Sequence, residues 1–536
     1  MGTPRHYCYR YLSWLMLSAV VGIAGCGDGD KDIINKLTVK KNGDGSGRVV
    51  SSPRGISCGN DCSYYYADDK RVTLTANAAE GSVFAGWDHD DCTGTGVCVV
   101  TLDESTRVTA KFDRSLAGVW EVKGNGFAVE VNAAGTAYDW YEFTPLSRLR
   151  VGQGTIADGN MYYRDNVAIS FAEMLALSEE AAALPVADVT GPTTDPEVNF
   201  EIFWQTFEQY YAFFDLLEGT SWQALYDQYR PQIDQHTTAD ALWSVLAAMI
   251  AELNDGHTRL YDFAGERVAV SRDVATAPSR WMMENQEAYQ GVIAAYLDSF
   301  DADTNVLGNG NVVIGTVDER IGYLNIFAYD GYADTPLAPF EFSLLYLLSA
   351  GRRDIEPYAD MLDTVFSRFA DMDALVIDLR FNIGGSGDLT KMLAGRLTEE
   401  RFLALSHRVR DGGYDDYHAP VSHYIEPEAV AFLDKPVIVL TSSNTVSAGD
   451  WQTLILKSLP NVTVMGEKTF GIFSEGIPRQ LPNGWQFTLS TQRIYSAEGE
   501  FFEQRGIAPD IAVTPDADLL ESGRDNMLEA ALQRLR

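Results

Sequence analysis

The spacing of apolar residues in this chain changes twice. From Lys36 to Asp113 they alternate with polar residues or form β-branched runs. Leu37-Thr38-Val39, Arg48-Val49-Val50, Val72-Thr73-Leu74-Thr75, Val99-Val100-Thr101-Leu102 and Arg107-Val108-Thr109-Ala110-Lys111-Phe112 are separated by Gly, Asn and Asp clusters. A period of two broken by turn residues predicts short strands, so residues 36–113 read as a small all-β module. A second β-rich stretch, residues 114–184, carries Val119-Trp120-Glu121-Val122 and Phe127-Ala128-Val129-Glu130-Val131, and residues 185–196 form a linker rich in Pro, Thr, Gly and Asp. From Phe200 the spacing becomes helical: Phe203, Phe207, Tyr210, Tyr211 and Phe214, then Leu242, Val245, Leu246, Met249 and Leu253. This predicts a helical subdomain over residues 197–262, with Thr237 or Thr238 starting the second helix and Asp240 as its capping-box partner.

Residues 263–515 alternate strand and helix. Ala374-Leu375-Val376-Ile377-Asp378-Leu379 and Pro436-Val437-Ile438-Val439-Leu440 are unbroken apolar runs, as in parallel sheets covered on both faces. A helical pattern follows the second run, then Val462-Thr463-Val464-Met465, which makes a β-α-β unit. The fold class is therefore α/β, preceded by small all-β domains, with residues 516–536 as a C-terminal helix. A length of 536 residues calls for several domains.

The first residues bear on location. Arg5 and Arg10 precede an apolar run too short to span a bilayer, and Ile23-Ala24-Gly25-Cys26 follows. Residues 1–25 read as an export signal and residues 26–35 as a flexible tether. Four further cysteines, Cys58, Cys62, Cys92 and Cys98, remain in the β module. In an oxidising compartment they suit two disulfides, with three pairings open and Cys58–Cys62 and Cys92–Cys98 the local ones. A four-cysteine zinc site is the alternative, and the spacing suits it poorly. The net charge of −35 argues against nucleic acid as a partner.

Ser447 is the first candidate for chemistry. It lies in Asn444-Thr445-Val446-Ser447-Ala448-Gly449-Asp450, between a predicted buried strand and a predicted helix. That order sets a hydroxyl at a helix N-terminus, where unpaired N–H groups favour an oxyanion. A serine nucleophile also needs a base, a group to orient the base, and oxyanion donors. His257, in Leu253-Asn254-Asp255-Gly256-His257-Thr258, is the candidate base. A backbone N–H at Gly384 or Gly385, and that of Ala448 at the head of the predicted helix, are the candidate donors. Glu503 is the candidate orienting carboxylate, with Glu500 its nearest rival. Gly385-Ser386-Gly387 lacks the spacing of a dinucleotide loop, and no metal or organic cofactor is implied.

Three resemblances follow from these motifs. The Ile23-Ala24-Gly25-Cys26 segment resembles a bacterial lipoprotein box, which implies lipid attachment at Cys26 and a place in the bacterial cell envelope. Gly45, Gly47, Val49, Ser52-Pro53, Cys58, Cys62, Phe84-Ala85-Gly86-Trp87 and Phe112 resemble a bacterial surface β-repeat, a spacer or adhesive unit. From about Phe200 to Val513 the ordered segments resemble the C-terminal-processing (tail-specific) serine peptidases, particularly their tricorn-like branch. They are Leu253-Asn254-Asp255-Gly256-His257-Thr258, Asp378-Leu379-Arg380 with Asn382 and Gly384-Gly385, Ser447-Ala448-Gly449-Asp450, Gly466-Glu467-Lys468-Thr469-Phe470-Gly471 and Gly506-Ile507-Ala508-Pro509-Asp510.

This resemblance implies a crotonase-like α/β core beside the helical subdomain, and a peptide or protein substrate. Where the processing branch keeps a catalytic Lys after Thr-Phe-Gly, this chain has Ile472; Lys468 occupies a different motif position. The tricorn-like pattern implies Ser447, His257 and Glu503 instead, although Gly256 stands where that pattern has Ser. Residues 271–315 are short for a PDZ module. The alternative is a non-catalytic ligand- or peptide-binding protein on the same scaffold.

Overall fold

The computed structural model describes residues 34–59, 62–79, 81–164, 166–272, 285–334 and 343–536. The predicted export signal, Cys26 and most of the tether lie outside the described residues. The chain divides into two compact units after Ser115.

The first unit has two four-stranded sheets. One runs Ser63–Ala67, Ile34–Asn42, Thr106–Arg114, Ser82–Asp88; the other runs Ser57–Cys58, Gly47–Ser52, Lys70–Ala78, Cys98–Leu102. The alternation read from the sequence is the burial pattern observed: Leu37, Val39, Val49, Val72, Leu74, Val100, Val108 and Phe112 share one core. Cys58 bonds Cys62 and Cys92 bonds Cys98, the two local pairings.

The second unit opens with a seven-stranded antiparallel sheet built from residues 118–181. Helix α1, Pro196–Tyr210, follows; Asp195 caps it and Pro196 opens its first turn. Helix α2, Ala239–Ala251, is capped by the Thr238 hydroxyl, which accepts from the N–H of Ala241. Asp240 is not the capping-box partner, because the third helical position is Ala241. Its carboxylate accepts from Arg267 Nη1 at 2.8 Å.

The core is a second seven-stranded sheet whose spatial order is its chain order. It comprises β1 (Val306–Leu307), β2 (Val312–Val317), β3 (Ile321–Ile326), β4 (Ala374–Asp378), β5 (Val437–Thr441), β6 (Val462–Gly466) and β7 (Ile511–Ala512). Strands β3 to β7 are parallel. Successive side chains of β4 and β5 serve opposite cores, which is why both strands are apolar throughout. Leu375, Ile377, Val437 and Val439 pack with α3 (Leu344–Arg368), α4 (Gly387–Gly395) and α5 (Ala448–Lys457). Ala374, Val376, Ile438 and Leu440 pack against α6 (Asn526–Leu535) and the helix Gln286–Ala294.

The predicted C-terminal helix is two helices, Ala517–Glu521 and α6, with Gly523 at a φ of 85° between them. A four-stranded sheet of Arg259–Asp262, Arg267–Val270, Gly476–Gln480 and Gln486–Ser490 and a three-stranded sheet of Val421–Ile425, Phe402–Val409 and Gln492–Ser496 belong to the same unit. Among the described residues, no helix is long and apolar enough to cross a membrane.

Candidate active site

Ser447 stands six residues beyond the end of β5 and immediately before α5. Its backbone is strained, with φ 58° and ψ −117°. That left-handed conformation is costly for a residue with a Cβ, so the surroundings must impose it. Several bonds do so. Thr445 Oγ1 donates to the carbonyl of Leu379 at 2.7 Å, Ser442 Oγ donates to that of Arg380 at 2.5 Å, and the Val446 N–H donates to that of Asn382 at 3.0 Å. The N–H of Ser447 donates to Asp450 Oδ2 at 2.9 Å.

The structure brings His257 to this hydroxyl. Its Nε2 lies 3.1 Å from Ser447 Oγ, across 190 positions of sequence. The loop holding it is tied by Asp255, which accepts the His257 N–H at 2.9 Å on one oxygen and the Thr258 hydroxyl at 2.8 Å on the other. Burial pushes the imidazole pKa down, and the charge of Arg259 assists; Asp255 and the backbone of Ser474 oppose them.

Glu503 is 1% exposed, not a solvated loop carboxylate. Its Oε2 accepts the N–H groups of Phe473 and Ser474 at 2.9 and 3.0 Å. No hydrogen bond joins it to His257: Glu503 Oε1 and His257 Nδ1 are both buried without a partner among the described residues. Ser474 connects the two instead, with its N–H on Glu503 and its backbone against the imidazole. Glu500 is exposed and its N–H donates to Ser496 Oγ.

The donor candidates divide. The Gly384 N–H is already given to Asn382 Oδ1 at 3.0 Å. The N–H groups of Gly385 and Ala448 have no such bond among the described residues, and Ala448 opens α5, where orphan donors are expected. Gly384 serves by being small: at φ 94°, a Cβ there would sit 2.7 Å from Ser447 Cβ.

Ile472, at the position of the absent lysine, is 4% exposed. A Cβ on Gly256 would meet Ile472 Cγ2 and Phe470 Cε1, each at 2.6 Å. The two departures from the family pattern therefore fill one another's space.

Sequence reading passed over two residues that organise this site. Asn382, fully buried, accepts from Gly384 and donates from Nδ2 to the carbonyl of Ile326 at 3.0 Å. Asp450, also fully buried, accepts N–H groups from Ser447, Gly471 and Ile472. Both stood inside recognised motifs, but nothing in the sequence marked either side chain as buried.

Residues 320–513 match peptidase family S41, residues 192–251 the tricorn protease C1 domain, and residues 37–116 the divergent InlB B-repeat domain. The carboxy-terminal processing protease CtpA of Bacillus subtilis is 26% identical over 146 residues, which is 26% of this chain and 29% of that protein. The tricorn protease of Thermoplasma volcanium is 25% identical over 169 residues, 31% of this chain and 15% of that protein. The chain thus spans less than a third of either relative. A solved structure of a candidate peptidase from Parabacteroides merdae aligns with a TM-score of 0.52 at 26% identity, covering 64% of this chain and 97% of that one.

Proposed function

Residues 320–513 are a peptidase family S41 domain of the C-terminal-processing kind, and on that premise we propose that this chain is an exported serine peptidase acting through Ser447, His257 and Glu503. The observation that carries the reading is the 3.1 Å approach of His257 Nε2 to a strained serine at the head of α5. With the proton on Nδ1, Nε2 accepts the hydroxyl proton as Oγ attacks a peptide carbonyl. The oxyanion that forms is met by the N–H groups of Gly385 and Ala448 and by the positive end of α5. His257 returns the proton to the leaving amine, then activates the water that hydrolyses the acyl-enzyme. Glu503 orients the imidazole, with the Ser474 backbone between them.

The repeat-domain match at residues 37–116 fits a cell-envelope location. Export by residues 1–25 and lipid attachment at Cys26 complete the proposal. Labelling with a fluorophosphonate tests the chemistry: wild type is modified at Ser447, and Ser447→Ala is not. Equal labelling of both, with ligand or peptide binding intact and no cleavage, would favour a binding protein on the same scaffold.

Gly384→Ala supplies a second test. Its methyl group would collide with Ser447 Cβ and force a side chain into φ 94°. Displacing a reacting group by about 1 Å costs roughly 100-fold in rate, so the labelling rate should fall by about that factor. An unchanged rate would mean that Ser447 is not held by this glycine.

A further inference from the structure

Five consecutive residues, 470–474, form a strap past the catalytic groups, and every N–H in it is bound. Phe470 gives its N–H to the carbonyl of Thr445, Gly471 and Ile472 to Asp450, and Phe473 and Ser474 to Glu503. At the head of this strap lies Arg272, whose guanidinium carbon is 4.0 Å from the Phe470 ring centroid and whose Nη2 donates to the Phe470 carbonyl at 3.2 Å. Its backbone is fixed from the other side. Ser271 donates its N–H to the carbonyl of Thr258 at 3.1 Å and accepts the Asp255 N–H on its hydroxyl at 2.9 Å. Arg272 is thus held between the His257 loop and the strap. Its Nη1 is buried and has no hydrogen-bond partner among the described residues.

Burial pushes the Arg272 pKa down, and three carboxyl groups oppose it: Glu503 first, then Asp450 and Asp255. All three are buried, at 1%, 0% and 1% exposure. Leaving a carboxylate in such a place without a counter-charge is costly, and each acid makes its neighbours harder to ionise. Burial, then the charge of Asp255 and farther on that of Asp450, drives the Glu503 pKa well above its usual value, and the two backbone bonds oppose the rise. The phenol of Tyr211 also faces Asp255 and Glu503, and it stays neutral because burial and their charge raise its pKa. Arg259 acts on His257.

We propose that Arg272 is a positioning residue, the counter-charge for the Glu503 carboxylate and, through it, for the alignment of His257. This rests on the Ser447–His257–Glu503 reading. Ionised, Glu503 draws both strap N–H groups to one oxygen and so holds the Ser474 backbone in place beside His257. Protonated, it loses that pull. Removing Arg272 lifts the Glu503 pKa further, so the competent form is reached only at higher pH.

The test is the rate of fluorophosphonate labelling of Ser447 as a function of pH. Arg272→Gln should move the acid limb upward by about one pH unit, a loss of about tenfold below the limb that closes as pH rises. Arg272→Lys, which keeps the charge and loses the flat guanidinium contact with the Phe470 ring, should move it by less than half of that. In a Glu503→Gln background, Arg272→Gln should add no further displacement. A uniform rate loss at every pH would reduce Arg272 to a structural prop, and an equal displacement in the Glu503→Gln background would show it acting on His257 directly; either overturns the proposal. Failure of the underlying reading is separate, since Ser447→Ala would then label like wild type.

Discussion

Replacing His257 with Ala is expected to lower kcat/KM for peptide cleavage by about 10⁴- to 10⁶-fold with little change in KM, the scale seen when the base of a serine triad is removed. The expectation is this large because, among the described residues, no other base is placed against Ser447. The lysine of the processing branch is replaced by Ile472, which packs over Gly256. His407 and His423 bond each other at 2.7 Å, and burial lowers both to about 4. Burial also lowers the His257 pKa, so its neutral form prevails at neutral pH and the acid limb of kcat/KM reports the ionisation of Glu503 rather than of the imidazole. The stability consequence has a definite sign. A histidine whose pKa is depressed by folding favours the native state above its unfolded value and loses that contribution as pH falls through 6.5 toward the depressed value. Denaturant unfolding across that window should show wild type losing stability, and His257→Ala losing less. An acid limb that stays in place in Glu503→Gln would assign it to His257 instead.

How far the sequence announced this site depends on the kind of interaction. The buried strands β4 and β5 were legible because continuous apolar runs have one economical use, a sheet covered on both faces. Ser447 was legible because its neighbourhood is local: strand, turn and helix lie within a few residues. His257 could be nominated from a motif, but its 3.1 Å approach depends on the packing of β5, α5 and the residues 259–270 hairpin, which no local pattern encodes. Glu503 was one of two candidate carboxylates until the family pattern favoured it, and its indirect link to His257 through Ser474 belongs to the strap. The roles of Asn382, Asp450 and Arg272 were invisible because a hydrogen-bonding side chain in a loop looks the same whether it faces water or a backbone amide. The Asp240 cap failed for a related reason: Thr238 sets the frame, and Asp240 falls one residue short of the position from which a side chain reaches back.

Arg380→Met is expected to cost about 3–5 kcal/mol of unfolding free energy, because it strands two buried carboxylates. Arg380 is fully buried. Its Nε and Nη2 hold Asp378 at 2.9 and 2.6 Å, and its Nη1 reaches Asp525 at 2.9 Å. Burial works against ionising Asp378, but the charge and bonds of Arg380 win and keep its carboxyl below the usual range. Wild type therefore gains stability from this group above the unfolded carboxylate value of about 3.9 and loses it as pH falls through the depressed one. The variant should slope the other way. With the cation gone, burial favours the protonated acids, so the gap between the two proteins should widen from acid to neutral pH in denaturant titrations. Asp378→Asn with Asp525→Asn in the Arg380→Met background should recover part of the loss; no recovery would place the cost in lost packing rather than uncompensated charge. The effect should also reach Ser447. Asp525 caps α6 by accepting from Met527 and Leu528, while the carbonyls of Leu379 and Arg380 anchor Thr445 and Ser442. The ion triad thus pins the floor on which the strained Ser447 backbone rests, and Ser447 labelling should slow in the variant even where it remains folded.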